Sequence, residues 1–87
     1  MPFFGYSKQV ANEHGLHDMR EVTFDVSSAD LRRIARFLNE CADQADAGDW
    51  QSSHRHLTEF DLRWDDDHPN CDLIVIHPAP YPPKRVD

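Results

Sequence analysis

Hydrophobic and polar positions alternate in two different rhythms along this chain. Between Ser27 and Gly48 the rhythm is helical. Leu31, Ile34, Ala35, Leu38, Cys41, Ala42 and Ala45 recur at i, i+3, i+4 and i+7, the spacing of one helical face. Phe37 lies on the flank of that stripe, and Arg32, Arg33, Arg36, Glu40 and Asp43 occupy the opposite face. Ser27 or Ser28 is placed to cap the first turn, Asp30 adds negative charge near the positive end of the helix dipole, and Gly48 is placed to end it in a left-handed conformation. One amphipathic helix cannot bury its stripe alone, so the rest of the chain must supply a second layer.

Elsewhere the rhythm has period two. Phe3–Ser7 (FFGYS) predicts a short strand, with Gly5 marking a bend, a bulge or a close approach. Residues 8–19 lose the pattern and read as a connecting loop. In residues 20–26, Val22, Phe24 and Val26 alternate with Glu21, Thr23 and Asp25, which predicts a strand with one buried and one solvated face. Residues 54–64 alternate again and predict a strand. Leu57, Phe60 and Trp64 are also spaced i, i+3, i+7, so a short helix competes there. Asp65–Asn70 predicts a turn, and Asp72–His77 (DLIVIH) predicts a strand covered on both faces or central in its sheet. The expected fold is α+β: a small two-layer β-β-α-β-β domain over residues 1–78, its helix packed on a mostly antiparallel sheet. A proline-rich, flexible tail follows over 79–87.

Length and charge sharpen this picture. With 87 residues the chain suits one domain with a small core. The net charge of −7 is concentrated in one region. Residues 43–72 hold nine acidic side chains and two basic ones (Arg55 and Arg63), and the remainder carries seven of each. Such a field repels phosphate, which argues against nucleic acid or an anionic membrane as partner and favours a basic protein, or no partner at all, with the acidic loops serving only to keep a small protein in solution. No run of 18 apolar residues and no charged-then-apolar leader occurs, so the expected location is cytoplasmic, with both cysteines reduced.

Catalytic patterns are sparse. Cys41 lies on the helix stripe, where a small core residue is expected rather than a nucleophile, and neither GxSxG, HExxH nor a glycine-rich phosphate loop occurs. The expectation is a protein that is not an enzyme and takes no cofactor. Six histidines supply the alternative reading, a divalent-metal module built on His54, His56 and His68, although no CxxC or HxxxH spacing supports convergence. Counted from Asp65, the acidic run fails as an EF-hand loop, because Asn70 and Ile76 stand where glycine and glutamate are required. Pro80, Pro83 and Arg85 match a short proline-rich ligand pattern of the kind that arises readily in such tails.

The string EVTFDVSSADLRRIARFLNECAD, followed by HRHLTEF, Trp64 and CDLIVIHP, resembles the bacterial immunity protein family 32 over about residues 20–78. That resemblance implies a small cytoplasmic antidote to a polymorphic toxin, acting by binding rather than by catalysis. No catalytic residue is implied, and no toxin-binding surface carries over. On charge and exposure the expected contact surface is Asp49, Trp50, Glu59, Asp61, Asp65, Asp66 and Asp67, with Trp50 either an aromatic anchor or a cover over the helix end. The chain is expected to act as a monomer or a homodimer, the latter through an edge strand.

Overall fold

The computed structural model describes residues 3–11, 17–48 and 54–76. The 49–53 segment, with its expected contact residues Asp49 and Trp50, lies outside the described residues, as does the tail from residue 77.

The elements follow the order β1 (Phe3–Ala11), β2 (His17–Phe24), α1 (Ser28–Ala47), β3 (His54–His56), α2 (Leu57–Phe60), α3 (Trp64–Asp67) and β4 (Ile74–Ile76). The α+β class is as expected, but among the described residues the strands do not form one sheet. β1 pairs antiparallel with β2, and β3 pairs antiparallel with β4, as two separate two-stranded ladders.

The long helix starts and stops where local chemistry directs. The Ser27 hydroxyl accepts from the Asp30 N–H at 3.1 Å, which selects Ser27 over Ser28 as the cap. Gly48 ends the helix at φ +74°, where a side chain would be strained. The buried face is rotated from the expected stripe. Ile34, Phe37 and Cys41 are buried, whereas Leu31 and Leu38 are exposed. Phe37 therefore moves from the flank to the centre, because an aromatic ring removes more apolar surface from water than a leucine does. Arg33 turns inward with it.

Residues 54–64 are the main departure in secondary structure. The extended strand stops after three residues, and Leu57–Phe60 forms a helical turn, so the spacing of Leu57, Phe60 and Trp64 prevails over the alternation. Leu57 and Trp64 are fully buried and join Ile34, Phe37 and Cys41 in the core. Phe60 meets Phe37 with ring centroids 5.7 Å apart. A third short helix, α3, occupies part of the expected Asp65–Asn70 turn, and Asn70 then takes φ +60°, a left-handed conformation that asparagine tolerates.

Three further expectations are corrected. β1 runs to Ala11 and β2 begins at His17, so the hairpin takes in much of the expected 8–19 loop. Every described side chain of β2 is exposed, Val22 to 60%, so its apolar set does not form the buried face of a layer. The β4 strand likewise leaves Ile74 and Ile76 exposed, so it is neither central nor covered on both faces.

Candidate functional site

The acidic segment is organised by one cation. Arg33, on the inward flank of α1, reaches across to the turn between α2 and α3. Its Nε donates to Asp61 Oδ2 at 2.5 Å, and a terminal nitrogen donates to Asp61 Oδ1 at 3.0 Å, a two-pronged grip. Its other terminal nitrogen donates to Asp30 at 3.0 Å and to Asp67 at 2.9 Å. The guanidinium also lies over the Trp64 ring, 4.9 Å from its centroid. Arg33 and Asp61 are largely enclosed, with side chains only 16% and 19% exposed.

The electrostatics follow from that geometry. Hydrogen bonding to Asp61 is the largest cause raising the Arg33 pKa above its ordinary value. The same contact holds the Asp61 carboxyl below the usual carboxylate range. Asp30 is raised by burial, but hydrogen bonds from His68 and Arg33 outweigh this and lower it overall. His68 Nε2 lies 2.8 Å from Asp30 Oδ2, and the His68 ring packs against Trp64 at 4.4 Å. Trp64 is thus bordered by Arg33, by His68 and by Phe3, whose ring stacks on it at 5.9 Å, while its own N–H donates to the Cys71 carbonyl at 3.0 Å.

A second polar junction ties β3 to the start of β4. His56 Nδ1 lies 2.6 Å from Asp72 Oδ2. Asp72 also accepts from the Thr58 and Leu73 backbone N–H groups at 3.1 and 2.8 Å. Burial raises Asp72, but these donors, the His56 ring foremost, lower it on balance. The Thr58 contact places a carboxylate at the start of α2, where unmatched N–H groups collect.

The expected contact residues accordingly divide. Asp61 and Asp67 bind Arg33 and belong to the scaffold. Glu59, Asp65 and Asp66 are exposed. They share the α2–α3 segment with two exposed apolar side chains, Phe60 and Leu62, the latter 79% exposed. An open concavity of about 630 Å³ lies there, lined by Arg33, Asp61, Arg63, Asp66 and Asp67. Its charged lining suits a polar partner rather than an apolar small molecule.

The three histidines do not come together as a metal site. The rings of His54 and His56 meet edge to face at 4.7 Å, but His56 turns to Asp72 and His68 to Asp30. Among the described residues, no group of three or more His, Cys, Asp or Glu side chains could hold a metal ion. Cys41 and Cys71 are free thiols, both buried, and burial raises both above the ordinary thiol value, which favours the unreactive protonated form. Among the described residues, no helix is long and apolar enough to cross a membrane.

Arg33 is the residue that sequence reasoning misplaced. Its signal was available: Asp30 lies three residues before it, and the Asp61–Asp67 run has little positive charge of its own. Comparison with protein-family models, with curated proteins and with solved structures found no match.

Proposed function

We propose that this chain is a small binding protein of the immunity type, which neutralises a bacterial toxin by covering a basic surface on it. One observation carries the reading. The α2–α3 segment is braced internally by Arg33, yet within the same short stretch it leaves Glu59, Leu62, Asp65 and Asp66 exposed. Exposed charged and apolar side chains side by side are the composition of many protein interfaces. Bracing lowers the ordering cost on binding, and the negative field speeds encounter with a cationic partner. The buried, protonated thiols supply no nucleophile, and the surplus of carboxylates is unfavourable for nucleic acid. The sequence resemblance to the immunity family points the same way.

The test is co-expression with the product of an adjacent toxin-like reading frame. Protection of the host cell is expected from the native chain. Asp65→Lys combined with Asp66→Lys should abolish it while the fold is retained, and Leu62→Ala should weaken it. Full protection by the charge-reversed chain would sink the reading.

A further inference from the structure

The proline-rich tail has no part in the acidic segment, and the outer face of the hairpin offers it a seat. A shallow groove of about 500 Å³ runs along β1 and β2, lined by Phe4, Gly5, Tyr6, Thr23, Phe24 and Asp25. Phe4 is 56% and Tyr6 64% exposed, so two aromatic rings stand in water on one short stretch of strand. Phe3, by contrast, is opposite Phe24 and stacks on Trp64, so its face is turned to the core. Phe4 and Tyr6 share the other face with Thr23 and Glu21. Gly5 admits no side chain, since a Cβ there would collide with the Met19 side chain and the Glu21 carbonyl, and this keeps β1 close against β2.

The chemistry of the groove matches that of the tail. Aromatic-lined grooves take proline-rich chain because the pyrrolidine rings pack on aromatic faces and the chain is already extended, so little entropy is lost on docking. Residues 77–87 (HPAPYPPKRVD) hold four prolines, the last of them followed directly by Lys84 and Arg85. Glu21 stands opposite Tyr6, and Asp25 lies at the other end of the groove. Neither carboxylate has an ion-pair partner among the described residues. A border of this kind attracts a cationic segment.

The tail is also long enough. The Phe3 backbone is hydrogen-bonded to Cys71, so the chain leading into β4 sets out from the hairpin. Cys71 and Ile76 are five residues apart, at most about 18 Å. The eleven residues beyond Ile76 span about 34 Å as polyproline II, and the surplus exceeds the roughly 10 Å from Phe3 to Tyr6. We propose that the groove is the seat of the chain's own tail: Pro80–Pro83 lie on the rings of Phe4 and Tyr6, and Lys84 and Arg85 lie towards Glu21. Entry from the Phe3 end sets that direction. A tether this short holds the tail at a millimolar effective concentration, so a contact too weak to persist between separate molecules stays closed within one chain. The seated tail covers aromatic surface that other proteins would otherwise meet. It needs no toxin partner and stands apart from the immunity reading.

Magnetic-resonance relaxation and nuclear Overhauser measurements on the isotope-labelled full chain test this. The backbone amides of Tyr81, Lys84 and Arg85 should have order parameters above about 0.6, outside the flexible range. Ring protons of Pro82 and Pro83 should show contacts to the Phe4 and Tyr6 rings that are unchanged on dilution. Tyr6→Ser should return the tail to order parameters below about 0.6. The Trp64 indole N–H, bonded to the Cys71 carbonyl, should keep its resonance in that variant, showing that the fold survives. Glu21→Lys should lower the tail's order part of the way, and Leu62→Lys, on the α2–α3 turn, should leave the tail seated. Order parameters below about 0.6 along the tail of the native chain overturn the proposal. So do tail contacts to another surface, a tail that stays ordered in Tyr6→Ser, and contacts that fade on dilution, which would make a second copy the occupant.

Discussion

The N-terminal hairpin and the segment from His54 to Ile76 are built in opposite ways. The hairpin has the longer strands, nine and eight residues, in a ladder interrupted by two register shifts, yet the described side chains of β2 are all exposed. The later segment has strands of three residues and helical turns of four, yet it contributes Leu57 and Trp64, both fully buried, together with buried Cys71. Regular backbone and burial are therefore separate quantities here. A ladder satisfies backbone hydrogen bonds whether or not side chains are covered. Irregular chain can place large side chains wherever the core needs them, provided that side-chain bonds such as those of Arg33 and Asp72 hold its turns.

The strongest way to break this contrast is at Trp64. Trp64→Ala should cost about 3–5 kcal/mol, a large part of the roughly 5–10 kcal/mol expected of a domain this size, as read by urea unfolding. A loss well below about 2 kcal/mol would mean that Trp64 does not anchor the core.

Arg33→Met comes next. It leaves Asp30, Asp61 and Asp67 without their shared cation, and partial solvent access limits the expected loss to about 2 kcal/mol. The pH dependence should identify the cause. Asp30, Asp61 and Asp72 all have folded pKa values below their ordinary ones. Protons therefore bind the unfolded chain more readily. The stabilisation is present above the unfolded carboxylate pKa of about 3.9 and is lost as the pH falls through the lowered folded values. Acid unfolding of Arg33→Met should be less steep than that of the native chain, because two of the three lowered carboxylates lose their arginine.

Within the hairpin, Phe3 and Val22 should separate sharply. Phe3→Ala removes the ring that stacks on Trp64 and should cost about 1–2 kcal/mol for a half-buried aromatic. Val22→Ala, on an exposed residue, should stay within about 0.5 kcal/mol in the same unfolding measurement. Equal effects would mean that the hairpin behaves as one cooperative body with the core.

The smallest effect is expected from Asp66→Asn, within about 0.5 kcal/mol in thermal unfolding. Asp61→Asn should exceed it, because only Asp61 receives the paired donors of Arg33. That difference separates carboxylates that hold the fold from those left at the surface.

Much of this was legible in the chain. The helix from Ser28 to Ala47 could be read because its cap, its period and its terminal glycine are local signals. The α+β class and the interior position of Cys41 followed from the same pattern. The course of residues 54–64 was ambiguous, since its residues satisfy two periods at once and only the fit of Leu57 and Trp64 against Ile34, Phe37 and Cys41 decides between them.

What the sequence determined by itself was thus the location and ends of the main helix, the mixed fold class and the uneven placement of charge. Tertiary structure decided which face of that helix is buried, that the strands form two ladders rather than one sheet, and which acidic residues are bound to Arg33. The physical reason is range. Caps and periodicity act within a few residues, whereas Arg33 meets Asp61 and Asp67 across 28 and 34 positions. The Asp30–Arg33 spacing is a local hint and the acidic run a compositional one, but the pairing itself forms only once the core has brought α1 against the α2–α3 turn.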